Sequence, residues 1–239
     1  MAELVVLADA DELARVAAHR MGECIAAALG ERRKASVALS GGSTPGPSYR
    51  RLATTFGSSP AESALDVARI RWFFVDERAV GPEHERSNYH ALERDLFEPG
   101  RIPREHVFRM QGELSPEAAA EAYSAVLARE LGEPPVLDLV IAGLGSDGHT
   151  ASLFPKTRAV SASGSVVAVF PADLEPRISL GRSTLLRARE VFVLVCGADK
   201  RAALSRALEH GDEDEVPGRV YLAAAGRVTF LVDRAANPG

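Results

Sequence analysis

Leu137-Asp-Leu-Val-Ile-Ala142, running into Gly143-Leu-Gly-Ser-Asp147-Gly148-His149-Thr150-Ala-Ser-Leu-Phe-Pro155, decides how the chain is read. The apolar run predicts a buried strand, and the glycines predict a turn at its carboxyl end. Glycines at 143, 145 and 148 permit positive φ and a close approach of backbone to ligand. A histidine at this point stands where open α/β sheets place their sites. Asp147 is near enough on a tight turn to orient the imidazole and to stabilise its protonated form. A histidine taken alone most often serves only its own loop. Strand, glycine turn, carboxylate and histidine together point instead to proton transfer near neutral pH.

A second strand and turn lie upstream. Ser36-Val-Ala-Leu-Ser40 predicts a strand that Gly41-Gly42-Ser43-Thr44-Pro45 ends, before a helix through Tyr49, Leu52 and Phe56. Thr44 is the expected N-cap, with Pro45 at the first helical position. A glycine turn leading into a helix start gathers free N–H groups and the positive end of a helix dipole, which is an anion cradle. The bland alternative is a tight strand-to-helix turn. No Gly-Lys-Ser/Thr follows, so a Walker A nucleotide loop is not inferred. Ser43 does not sit in a nucleophile elbow, because Pro45 replaces the second glycine of Gly-x-Ser-x-Gly.

Arg71-Trp-Phe-Phe-Val-Asp76-Glu77-Arg78 predicts a third buried strand that runs into three charges. If the sheet is parallel, Asp76, Glu77 and Arg78 share the rim that carries the anion cradle and the histidine turn. Lys200 falls in the first turn of a helix expected over Ala198–Leu208. The helix dipole disfavours a lysine there unless an anion lies close, so Lys200 is a candidate phosphate ligand as well as an ordinary surface residue.

The remaining chain reads as scaffold. Leu4–Leu7 is a short strand, and Asp9 or Asp11 caps a helix buried through Leu13, Val16, Ala17, Met21, Cys24, Ile25 and Ala28. Gly57–Arg69 is a loop or short helix. Ser87-Asn88-Tyr89 opens a helix to about Phe97, Val107–Met110 is a short strand, and Ser115-Pro116 starts a helix to Leu131. Val166–Phe170, Pro176–Leu180, Val191–Gly197, Val220–Ala223 and Arg227–Asp233 are the further extended pieces, with a helical stretch up to Arg189. His210–Glu215 is an acidic, solvated loop. No repeat or long linker interrupts the 239 residues, so one domain over 1–239 is expected. Strands alternating with helices imply an α/β fold, a Rossmann-like, mostly parallel sheet with helices on both faces.

An apolar share of 46% is enough for a core without disulfide or metal staples. The net charge of −5 argues against a nucleic-acid surface. Cys24, in a helix, and Cys196, in a strand, read as buried small apolar residues rather than a disulfide or metal pair. His84, His90, His106 and His210 show no metal-ligand spacing. Neither a signal peptide nor a membrane-length apolar run is apparent, so a cytoplasmic protein with no membrane partner is expected. The site suits proton movement on a small phosphorylated molecule, and both hydrolysis by an activated water and an isomerisation fit it.

Three motifs carry a family resemblance. Ser40-Gly-Gly-Ser-Thr-Pro45, Trp72-Phe-Phe-Val-Asp-Glu-Arg78 with Ser87-Asn-Tyr89, and Gly143–Pro155 resemble the 6-phosphogluconolactonase signatures of the glucosamine-6-phosphate isomerase/6-phosphogluconolactonase family. Pro176-Arg-Ile-Ser-Leu180 and Gly197-Ala-Asp-Lys200 extend the likeness over nearly the whole chain. Ser146, Lys156 and Gly181 depart from the family's usual acidic residue, glycine and threonine. The resemblance implies hydrolysis of 6-phospho-D-glucono-1,5-lactone to 6-phosphogluconate in the oxidative pentose phosphate pathway. It implies no cofactor, and a fold similar to glucosamine-6-phosphate deaminase. On this reading His149, oriented by Asp147, activates water. Gly41, Gly42, Ser43 and Thr44, with Arg177 and Lys200, hold the phosphate. Arg78 meets the oxyanion or the phosphate, and Asp76 meets sugar hydroxyls. A monomer is expected rather than an obligate oligomer. A deaminase-isomerase would carry a different loop after the histidine, and a sugar-phosphate sensor would need a DNA-binding head for which there is no room before Ser36.

Overall fold

The computed structural model describes residues 2–56, 65–224 and 226–239. Of the loop expected over Gly57–Arg69, residues 57–64 therefore lie outside the described residues, and Val67–Arg69 forms a 3-10 turn. Six parallel strands make the central sheet: β1 (Glu3–Leu7), β2 (Ala35–Leu39), β3 (Ile70–Phe74), β5 (Leu139–Gly143), β8 (Glu190–Val195) and β9 (Val228–Asp233). They lie in the order β1-β9-β8-β5-β2-β3. Every residue of β2 and of β9 is buried, so both faces of the sheet are covered. The Rossmann-like α/β expectation therefore holds.

The strand order explains where a site can form. The chain leaves β2 for its neighbour β3 on one side, whereas from β5 it eventually reaches β8 on the other. Loops that leave two adjacent strands in opposite directions part above the sheet and open a crevice at the carboxyl ends. Those two loops are the glycine turns singled out in the sequence.

Helix α1 (Ala10–Arg32) buries Leu13, Ala14, Ala17, Ala18, Met21, Ile25, Ala28 and Leu29. Asp9 rather than Asp11 caps it, accepting from the N–H groups of Asp11 and Glu12 at 3.0 and 2.9 Å. Helix α2 (Gly46–Ala53) starts one residue later than its sequence suggests. Pro45, not Thr44, holds the N-cap position, and no side chain caps the helix. Helix α3 (Asn88–Leu92) continues as a π-turn over Glu93–Phe97. Helix α4 (Pro116–Leu131) begins at the expected Ser115 cap. Its Tyr123 hydroxyl accepts from the Phe74 N–H at 2.7 Å and donates to the Phe108 carbonyl at 3.0 Å. That pairing occupies part of the outer edge of β3, which would otherwise offer a template for foreign strands.

Four expectations need correction. The third strand does not run unbroken from Arg71 to Arg78. It switches sheets at Val75, whose N–H donates to Leu39 of the central sheet at 2.9 Å, while its carbonyl accepts from Leu180 at 2.8 Å. Beyond it, β4 (Asp76–Arg78) joins β7 (Arg177–Leu180) and β6 (Val166–Val169) in a separate antiparallel sheet ordered β4-β7-β6. Val220–Ala223 is not a strand but part of a 3-10 helix over Pro217–Ala224. Val107–Met110 makes only an isolated bridge, from Val107 to Trp72. Cys196 lies just past β8, and both cysteines are half-buried rather than buried. Burial pushes each thiol up to about 11, so both stay protonated and weakly reactive near neutral pH. Helices α5 (Arg182–Arg187) and α6 (Arg201–Leu208) complete the chain. Among the described residues, no helix is long and apolar enough to cross a membrane.

Candidate active site

Past β5 the chain turns back on itself through short local bonds. The Gly145 N–H donates to the His149 carbonyl at 2.8 Å, and the Gly148 N–H donates to the Gly145 carbonyl at 3.0 Å. Gly148 sits at φ +95, where a side chain would be strained. Gly145 is required for a different reason. A Cβ there would lie 2.1 Å from His149 Nδ1 and 2.6 Å from Asp147 Oδ1, so only a glycine leaves room for the two side chains to meet above it.

They do meet. His149 Nδ1 lies 2.6 Å from Asp147 Oδ1, and the same oxygen accepts the His149 backbone N–H at 3.0 Å. A carboxylate at Nδ1 fixes the proton on that nitrogen and leaves Nε2 as the acceptor, the tautomer a general base needs. The imidazole also rests on Phe154, with centroids 4.4 Å apart. Burial on its own would raise the Asp147 carboxyl. The hydrogen bonds and charge of His149 outweigh it and hold the group below its ordinary value. A depressed carboxyl contributes its pairing above the usual Asp range and loses it as pH falls through the lower folded value. The Asp147 carboxyl ¹³C signal should therefore titrate below the ordinary Asp range in the wild type and move back up in His149→Ala. An identical midpoint in both would contradict the pairing.

The loop after β2 faces the same space. Gly41 is held close under Asn88, since a Cβ at Gly41 would come 1.9 Å from Asn88 Oδ1. Gly42 adopts φ +102. The N–H groups of Gly42, Ser43 and Thr44 meet no backbone acceptor among the described residues. With the uncapped start of α2, they leave an unsatisfied positive pole aimed at the loop. Tyr49, fully buried, anchors the turn by donating to the Ser40 carbonyl at 2.9 Å.

These pieces line one open cleft, to which Gly41–Thr44, His149, Asp76, Arg78 and Lys200 all contribute. Asp76 is committed as well as exposed to the cleft. Its Oδ2 accepts from Ser152 at 2.6 Å, and its Oδ1 and carbonyl accept from Asn88 Nδ2 at 3.2 and 2.8 Å. Arg78 donates to the Arg86 carbonyl. Lys200 follows Gly197 in the 3-10 turn Ala198–Lys200 that opens the expected helical stretch, and it holds the N-cap position of α6. Its only salt-bridge partner among the described residues is neighbouring Asp199 at 3.3 Å.

Arg177 departs from expectation, because it is not part of the cleft lining. It sits on β7 opposite Arg78, almost fully buried. Its guanidinium lies over the Phe154 ring at 5.9 Å, with Glu175 3.0 Å away. Burial and the nearby charge of Arg78 lower its pKa, and Glu175 offsets them in part. Arg177 thus backs the aromatic ring on which His149 rests.

Two contributors, Asn88 and Ser152, escaped the sequence reading, and Glu77, which it placed on the rim, takes a supporting role instead. Asn88 lines the cleft and locks both Gly41 and Asp76. Glu77, buried, takes the N–H groups of Arg78, Asn88 and Tyr89 and the Ser87 hydroxyl. It thereby sets the start of α3, while burial pushes its carboxyl up against those four bonds. Ser152 ties Asp76 to the histidine loop. Ser87 at the N-cap of α3, with Asn88 next, was the one available signal; apart from the Glu77–Arg78 contact, the pairings span 10 to 76 residues.

Fold and cleft together define a class: a Rossmann-like α/β protein in which a glycine turn before a helix start and a carboxylate-braced histidine share the switch-point crevice. The sequence matches, over residues 8–230, the family described as glucosamine-6-phosphate isomerases/6-phosphogluconolactonase. A 6-phosphogluconolactonase of Synechocystis is 35% identical over 219 residues, covering 89% of this chain and 88% of the relative. The solved structure of 6-phosphogluconolactonase from Trypanosoma cruzi superposes with a TM-score of 0.86 at 31% identity, covering 99% of this chain and 96% of that one. A monomeric glucosamine-6-phosphate deaminase shares the fold, with a TM-score of 0.81 at 23% identity over 98% of each chain. The chain belongs to the glucosamine-6-phosphate isomerase/6-phosphogluconolactonase family and is an enzyme of sugar-phosphate metabolism.

Proposed function

We propose that this enzyme is a 6-phosphogluconolactonase that hydrolyses 6-phospho-D-glucono-1,5-lactone, in the oxidative pentose phosphate pathway, with a water that His149 activates. The single observation that carries the mechanism is the His149–Asp147 pair facing the same cleft as the Gly41–Thr44 turn. His149 Nε2 takes a proton from water as the water oxygen bonds to the lactone carbonyl carbon. The tetrahedral intermediate then collapses, the bond to the ring oxygen breaks, and the imidazolium returns its proton to that oxygen. Asp147 stabilises the imidazolium between the two transfers.

The phosphate, far from the reacting carbon, docks on the N–H groups of Gly41–Thr44 with Lys200. That remote binding fixes the carbonyl against the base. Arg78 stabilises the oxyanion or makes a second phosphate contact. Asp76, already aligned by Ser152 and Asn88, receives sugar hydroxyls. Arg177 acts through Phe154, or reaches the phosphate if its side chain swings from Glu175. The expected compartment is the cytoplasm, and the expected state a monomer.

The test is to generate the lactone freshly with glucose-6-phosphate dehydrogenase and follow its disappearance. Acceleration above the spontaneous rate supports the proposal. No acceleration, with ammonia released from glucosamine 6-phosphate instead, overturns it. Lys200→Ala should raise KM about tenfold or more and change kcat less, because it removes binding common to ground and transition states. An unchanged KM would remove Lys200 from the phosphate site.

A further inference from the structure

Residues 148 and 150, on either side of His149, are both tied to the 3-10 helix over Pro217–Ala224. On one flank the Gly218 N–H donates to the Gly148 carbonyl at 2.9 Å. A Cβ at Gly218 would come 2.6 Å from Leu144 Cδ1 and 3.1 Å from Ala207 Cβ, so the helix is seated directly on the histidine loop. On the other flank Thr150 Oγ1 lies 2.9 Å from the Gly143 carbonyl and 2.8 Å from the Tyr221 hydroxyl.

Counting protons fixes the direction of this chain. The carbonyl can only accept, so the one Thr150 hydroxyl proton goes to Gly143, and Tyr221 must donate to Thr150. The Tyr221 hydroxyl is fully buried, and burial pushes the phenol well above its ordinary value, so it keeps that proton at any working pH. The ring itself is held separately, edge-on to Phe230 at 6.3 Å. Removing the hydroxyl therefore leaves the packing in place and takes away only the tie.

We propose that Tyr221 is a positioning residue for the hydrolysis: through Thr150, and opposite the Gly218 bond, it clamps the backbone of His149 so that Nε2 keeps its aim into the cleft. The inference rests on His149 being the base. Without the Tyr221 hydroxyl the Thr150 flank is held by its own loop, through Gly143, and no longer by the 3-10 helix. The imidazole then gains freedom to shift, and small misplacements of a reacting group carry large rate penalties. The phosphate cradle lies on a different loop, so binding is not affected.

The experiment compares Tyr221→Phe, Thr150→Val and Thr150→Ser with the wild type in kcat, KM and thermal midpoint, and records the ¹⁵N signals of the His149 ring. Tyr221→Phe should lower kcat about tenfold with KM within about twofold, and should shift the ring signals. Thr150→Val should do the same, whereas Thr150→Ser, which keeps the hydroxyl, should match the wild type in both. The double variant Tyr221→Phe/Thr150→Val should be no worse than Thr150→Val alone, because the two act as one chain. Wild-type kcat and unshifted ring signals in Tyr221→Phe would overturn the proposal. So would kcat and KM worsening together in step with lost stability. Failure of the wild type to hydrolyse the lactone would defeat the assignment of the base, yet the ring signals would still decide whether Tyr221 positions His149.

Discussion

Replacing His149 with alanine is expected to lower kcat for lactone hydrolysis by about 10²–10⁴-fold, the usual worth of a general base, with little loss of stability. The imidazole carries a dedicated hydrogen-bond partner, Asp147 at 2.6 Å. That partner occupies Nδ1 and leaves Nε2 to work. The side chain is 32% exposed and lies in a loop outside the core, resting on one face of Phe154. Its removal should therefore cost about 1 kcal/mol or less in unfolding free energy. Turnover by His149→Ala at the wild-type rate, in a protein with an unchanged melting curve, would exclude this residue as the base.

Gly145→Ala should have a comparable effect, although it deletes no functional group. The added methyl would meet His149 Nδ1 at 2.1 Å and Asp147 Oδ1 at 2.6 Å, distances that no real Cβ tolerates. Both neighbours are side-chain atoms, so the loop yields by parting the pair rather than by unfolding. The base then loses its orientation and its counter-charge together, for an expected loss of about 10²-fold or more in kcat. The fold should survive, because the site of the clash is partly open to solvent. A Gly145→Ala variant with wild-type kcat would mean that the imidazole–carboxylate pair is dispensable.

What the sequence disclosed about the fold, and what it hid, divides along the range of the interactions. The β5 strand, its glycine turn and the His149–Asp147 pair are local, set by residues within a dozen positions, and all were legible. So was the β2 turn, because glycines before a helix start report their own geometry. The parallel central sheet followed from strands that are apolar on both faces.

The sheet switch at Val75 left no mark. No glycine or proline interrupts Trp72–Arg78, and the switch depends on Leu39 and Leu180, which lie far away in sequence. Val220–Ala223 failed for another reason: a four-residue apolar run is compatible with any buried element, and only its neighbours decide. Arg177 was legible as a motif residue but not as one turned behind Phe154. The supporting roles of Asn88, Glu77 and Ser152 were missed because they exist only once three loops have met. The sequence disclosed the local pairings of the candidate site more readily than the distant groups that hold them in place.

The most direct measurement is a crystal structure of the enzyme with 6-phosphogluconate, the product of the proposed reaction. The phosphate is expected within hydrogen-bonding distance of the Gly42–Thr44 N–H groups and of Lys200, with the carboxylate carbon facing His149 Nε2. A phosphate seated against His149, or a ligand bound outside the crevice between the β2 and β5 loops, would contradict it.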